Sequence, residues 1–181
     1  QPITQYSYTA NDTSQVLINT FINGKSSLTY GWENTIKLTP VKGLDITADG
    51  DVNYISINSN VANQVIRNSG ISWMIKGIVS YKFPLGIVAQ VNGTYRGPRI
   101  IPQGHTLPFY FFDFSLSKEI GIVSINFTIS DVLNTKTHGN YYDTPTYIQT
   151  QTHRRDMRYA RLGVTVRFGK MDASLFKKKG K

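Results

Sequence analysis

Three histidines, His105, His138 and His153, and the aspartates around them are the residues of this chain best suited to metal or acid–base chemistry. None of the histidines stands in an HxxxH or HExxH spacing, the pattern that would put two imidazoles on one face of a helix. His138, Asp143 and His153 form the one set with a metal-like mixture, but they lie in polar, aromatic stretches that read as solvated outer loops. Asp45, Asp49 and Asp51 share one face of a strand and could work as paired carboxylates. The simpler account is a ladder of wall charges, balanced by Lys76 and Lys82 on the next strand. No Ser-His-Asp order and no glycine-rich phosphate loop is found, and the absence of cysteine rules out disulfides and thiolate metal sites. The expectation is a non-enzyme with no catalytic residue, no cofactor and no metal.

Binding chemistry is better represented. Arg96 and Arg99 flank Gly97-Pro98, and the stretch "KTHGNYYDTPTYIQTQTHRR" (136–155) gathers Tyr141, Tyr142, Tyr147, His153, Arg154 and Arg155. Such residues suit a polar or anionic ligand, through ring stacking and charge-assisted hydrogen bonds. The competing account makes them surface loops that contact lipopolysaccharide or a partner protein.

The elements that must position these groups are strands. With 181 residues, 40% hydrophobic, 11 tyrosines and 9 phenylalanines, the composition favours pleated structure over helix. The net charge of +9 is spread out, apart from "HRRDMRYAR" (153–161) and a terminal "KKKGK". Without a recognition helix it is a weak nucleic-acid signal, and no nucleic-acid partner is expected. No run of about 18 apolar residues is present, which excludes a transmembrane helix and leaves membrane-crossing strands open. Alternation with period two predicts strands over 28–38, 44–54, 72–83, 87–96, 109–117, 123–130 and 159–168, and one more within 3–22.

These strands sort their residues into two faces. One face holds Leu28, Tyr30, Trp32, Ile36 and Leu38 on the first strand and Leu162, Val164, Val166 and Phe168 on the last, with no charge on any of the seven. The opposite face holds Glu33, Lys37, Asp45, Asp49, Asp51, Lys76, Lys82, Arg96, Asp113, Arg161 and Arg167. A soluble β-sandwich also alternates, so periodicity alone does not choose. Three features favour a membrane barrel. Short turns at 39–43, 84–86 and 118–122 alternate with long connections at 55–71, 97–108 and 131–158. Aromatics (Trp32, Tyr54, Trp73, Tyr81, Phe83, Tyr95, Tyr110) gather toward strand ends, as at a membrane interface. The strands are also of bilayer-crossing length.

Five segments then come in a telling order: "YGWENTIKLTP" (30–40), "YRGPRIIPQG" (95–104), "FFDFSLSKEI" (111–120), "INFTISDVLNTK" (125–136) and "RYARLGVTVRFGK" (158–170). Together they resemble the C-terminal barrel region of TonB-dependent outer-membrane receptors, in the barrel family common in Bacteroidetes. The matching positions are Tyr30, Gly31 and Glu33; Tyr95, Gly97 and Pro98; Asp131 and Asn134; and Arg167, Phe168 and Gly169. The resemblance implies an antiparallel, up-and-down transmembrane β-barrel of about 22 strands around a plug, of which about eight strands are visible here. It also implies energised uptake of a large nutrient, with TonB engaged through a missing N-terminal part. The partners implied are outer-membrane lipid, the barrel-assembly machinery reading Phe168 as a terminal signal, and a surface lipoprotein. Residues 1–170 then form the barrel segment and 171–181 a basic periplasmic tail. A complete small eight-stranded barrel, or a scaffold subunit of an outer-membrane complex, is the alternative; the motif order and the large loops favour the receptor fragment.

Overall fold

The computed structural model describes residues 3–11, 14–61, 64–144, 147–155 and 158–168; for β1 and most of β2 it describes the backbone alone. The segment 3–22, expected to hold one strand, forms two: β1 (Ile3–Asn11) and β2 (Ser14–Asn23) pair as an antiparallel hairpin. Then come β3 (Ser26–Val41), β4 (Leu44–Val61), β5 (Gln64–Lys82), β6 (Ile87–Arg96), β9 (Phe109–Ile120), β10 (Val123–Ser130) and β13 (Tyr159–Val166). Between them lie β7 (Ile100–Ile101), β8 (Gly104–Thr106), β11 (His138–Asp143) and β12 (Ile148–His153). The long strands form one seven-stranded antiparallel sheet in the order β13-β10-β9-β6-β5-β4-β3, each beside its neighbour along the wall, with β3 and β13 at the open edges. Tight connections close it at one end: Lys42-Gly43, a single turn at Pro84–Gly86, and Gly121-Ile122. Gly43 (φ +88°) and Gly121 (φ +56°) supply the left-handed backbone that such turns demand.

Register keeps the two faces separate across the sheet. Tyr30 faces Tyr54, Trp32 faces Val52 and Val52 faces Trp73; Val79 faces Val91, Val91 faces Phe114, and Phe127 faces Leu162. The apolar face is the exposed one. Trp32 is 71% exposed and Leu162 69%, with Leu28, Ile36, Leu38, Ile75 and Val164 likewise open. Among the described residues the only buried hydrophobic side chain is Ile55, so no second layer covers this face as a sandwich requires. Ten residue steps from Leu28 to Leu38, at ~3.3 Å each and tilted by ~40°, cover about 25 Å, the height of a lipid-facing band. Aromatic contacts border it: Tyr30 with Tyr54 (5.2 Å) and Trp73 stacked on Tyr95 (4.8 Å) toward the long-loop end, and Tyr81 with Phe83 (4.6 Å) toward the turns.

Three boundaries differ from expectation. The strand β9 runs on to Ile120, which brings Lys118 onto the apolar face opposite Ile87 and Ile125, at the turn end where a lysine can extend its ammonium to water. The strand β13 stops at Val166, although the Arg167 N–H still donates to the Ile122 carbonyl (2.9 Å). The connection expected over 55–71 is instead a prolongation of β4 and β5, paired from Ile55 with Gly70 up to Val61 with Gln64. Above Tyr54 the pattern of faces inverts. Ser56, Asn58, Arg67 and Ser69 now occupy the side that is apolar below, while Ile55, Ile57 and Ile66 turn to the other. Polar residues in "SINSN" hide this strand from a reading that looks for a single apolar side.

Candidate functional site

At the long-loop end, the connections 97–108 and 131–158 are not separate loops. They pair into a four-stranded sheet in the order β12-β11-β8-β7. Its inner edge is pinned to the wall: the Asn68 side-chain amide donates to the carbonyls of Ile101 (2.6 Å) and Gly104 (2.7 Å), and the Ile100 N–H donates to the Ser72 hydroxyl (3.3 Å). Ile100 lies so close above Gly70 that a Cβ there would meet its Cδ1 at 2.8 Å.

The polar face of the wall carries rows of facing residues. One row runs Glu33, Asp51, Met74, Arg96 and Phe109 across five strands. In the next, Asp49 faces Lys76, as the charge-ladder reading requires, and its Oδ1 also accepts from the Thr35 hydroxyl (2.7 Å). Asp45 faces Ser80 and accepts from Thr39 (2.8 Å), while Lys82 sits diagonally beyond Ser80, opposite Val88. Acidic groups thus predominate on β3 and β4 and basic groups on β5, β6 and β13, with Lys37 on β3 and Asp113 on β9 among the exceptions.

Where the rows meet the loop sheet there is a cavity of about 240 Å³, lined by Thr29, Asp51, Asn53, Ile55, Ser72, Met74, Arg96 and Arg99. The segment Arg96-Gly97-Pro98-Arg99 that brings the two guanidinium groups there is held at both ends. The Gly97 N–H donates to the Trp73 carbonyl (2.9 Å), the Arg99 N–H donates to the Thr106 hydroxyl (3.0 Å), and the Thr106 N–H donates to the Arg99 carbonyl (2.8 Å). Any side chain at Gly97 would enter the Trp73 indole, since a Cβ would stand 2.6 Å from Nε1. Arg96 lies over the Phe109 ring (5.9 Å) and beside the Met74 sulfur (3.8 Å). A second cavity, about 470 Å³, lies at the turn end around Lys82, Ser117, Glu119, Ser124 and Arg167, bordered by the exposed Arg167–Glu119 ion pair (3.0 Å).

The other sequence-selected residues are dispersed over the loop sheet. Tyr141 packs on His105 (5.1 Å) and the Tyr142 hydroxyl accepts from Asn140 (3.1 Å). The Tyr147 N–H donates to the Thr144 hydroxyl (3.0 Å), closing the segment that leads into β12. His153 stacks on His138 (5.9 Å), whose edge meets Phe109 (4.6 Å). Asp143 is at the far end of that hairpin, about 17 Å along the strand from His138, too distant to share a metal with it. Arg154 is committed to the chain itself: Nη1 donates to the Asn134 side-chain oxygen, Nη2 to the Asn134 carbonyl and Nε to the Thr137 hydroxyl, each at 3.1 Å. Arg155 is exposed beside it. Phe168 is exposed beyond the last strand, and the tail 171–181 lies outside the described residues. Asn68, Ser72, Asn53 and Met74 are site residues that the sequence reading missed, because only the pairing of β4, β5 and β7 brings them together.

A family model described as "Outer membrane protein beta-barrel family" matches residues 1–168. No curated protein and no solved structure matches the chain.

Proposed function

Because the chain belongs to the outer membrane β-barrel family and so resides in the bacterial outer membrane, we propose that its wall is part of a TonB-dependent receptor that takes up a large nutrient. The observation that supports this best is the charged inner face, which carries Glu33 and Lys37 on β3, Asp49 on β4, Lys76 on β5 and Arg96 on β6 rather than an apolar filling. A small closed barrel fills its interior with side chains, whereas a wide one leaves a polar lumen to be plugged or traversed. In this reading the exposed apolar face meets lipid, the tight turns face the periplasm, and the loop sheet covers the outer mouth. The barrel performs no chemistry of its own; energy arrives through TonB at a plug upstream of Gln1.

The test uses the full-length protein. It should hold the C-terminal domain of TonB in a pull-down, and its deletion should abolish growth on one of iron chelates, cobalamin, glycans or peptides as a limiting nutrient. A full-length protein that neither holds TonB nor alters growth on any of these is not a receptor. A second reading, a scaffold that docks a surface lipoprotein, is favoured by one observation: β12 is exposed at all six positions and forms the outer edge of the loop sheet. Such an edge can add a strand from a partner.

A further inference from the structure

We propose that the cavity beneath the loop sheet binds a carboxylate of the incoming ligand between Arg96 and Arg99, with Asn53 and Ser72 bonding the rest of one sugar or amino-acid unit. This deepens the receptor reading and rests on it for the ligand's being cargo. Both guanidinium groups border the cavity, and that of Arg99 has no hydrogen bond or ion pair with any described residue. Arg96 gives up only a weak contact to the Met74 sulfur, while the Phe109 ring beneath fixes its plane. A planar, oriented guanidinium presents the paired donors that suit a carboxylate. Asp51 also lines the cavity, its Oδ1 accepting from Asn53 (2.7 Å). Two arginines and one aspartate leave a formal charge of +1, which matches a singly charged carboxylate better than a doubly charged phosphate.

The site is built before the ligand arrives. Trp73 beneath Gly97, the fixed φ of Pro98 and the paired hydrogen bonds between Arg99 and Thr106 hold the two arginines in place. Little conformational freedom is therefore lost on binding. At about 240 Å³, below the ~300–1,000 Å³ usual for drug-sized ligands, the cavity admits one unit of a larger molecule. Ile55 and Met74 give it an apolar floor for a carbon skeleton.

The experiment is calorimetric titration of the full-length protein in detergent with two matched pairs: glucuronate against glucose, and N-acetylaspartate α-amide against N-acetylasparagine α-amide. The acidic member of at least one pair should bind about tenfold more tightly than its neutral partner, a difference that shrinks with salt. The pair that discriminates tells an acidic glycan from an acidic peptide. In R96A/R99A the difference should vanish. R99A alone, which removes a side chain without a described bonding partner, should lose most of it while keeping heat-modifiable mobility on gels. Equal affinity within both pairs, no binding by any probe, or an undiminished preference in folded R99A overturns the proposal. Binding is read without TonB. A carboxylate-binding protein that is not energised therefore sinks the receptor reading alone, and a TonB-dependent receptor indifferent to carboxylates sinks this proposal alone.

Discussion

Asp131 is 2% exposed and adopts a left-handed backbone (φ +50°), yet it is among the most heavily bonded groups of the chain. Its carboxylate accepts from the N–H groups of Thr135 (2.9 Å) and Lys136 (3.1 Å), and its own N–H donates to Asp113 (2.9 Å), which also accepts from the Ser130 hydroxyl. Asn134, likewise left-handed (φ +57°), then presents two oxygens to Arg154. The Asp-x-x-Asn segment is thus a knot that starts the long loop and holds its return strand. D131A leaves two N–H groups without their acceptor and should cost about 1–3 kcal/mol, seen as faster limited proteolysis within 131–158. D131N keeps an acceptor and tolerates the left-handed backbone, so it should resist more nearly like the wild type. At Gly97, even G97A drives a methyl into the Trp73 indole; a shift in Trp73 fluorescence, with loss of the preference for acidic probes, is the expected outcome.

The element scale separates the two faces by one residue. Val91 and Asn92 are neighbours in β6; Val91 faces Val79 and Phe114, and Asn92 faces Ile78 and Asp113. V91R places a charge in mid-bilayer and should cost about 2–4 kcal/mol, measured as a lower urea midpoint in folding assays from vesicles. N92R, beside Asp113 on the polar face, should stay within about 1 kcal/mol of wild type. This contrast is also what made the wall legible in sequence: Leu162-x-Val164-x-Val166 and its counterparts alternate because each side meets a different medium. The loop sheet was not legible. In "HGNYYD" and "IQTQTH" neither side is continuously apolar, and their pairing depends on partners far along the chain, such as Gly139 with Thr152 and Tyr141 with His105. Arg96 and Arg99 could be picked out from Gly97-Pro98, whereas Arg154 looked equally free and is in fact tied to Asn134.

For the whole molecule, the chain contributes no cysteine, so single cysteines report sidedness without background from it. K42C at a tight turn and T150C in β12 lie at opposite ends of the wall. On intact cells a membrane-impermeant maleimide should label T150C and leave K42C unlabelled until the outer membrane is opened; the reverse result would invert the proposed topology. The mouth itself has a mechanical consequence. Because β7, β8, β11 and β12 share one hydrogen-bonded ladder, hung on β5 through Asn68 and Ser72, they form a single leaf rather than four independent tethers. Displacing any one of these strands from the wall therefore means moving the leaf as one piece and breaking the bonds of Asn68 and Ser72 together.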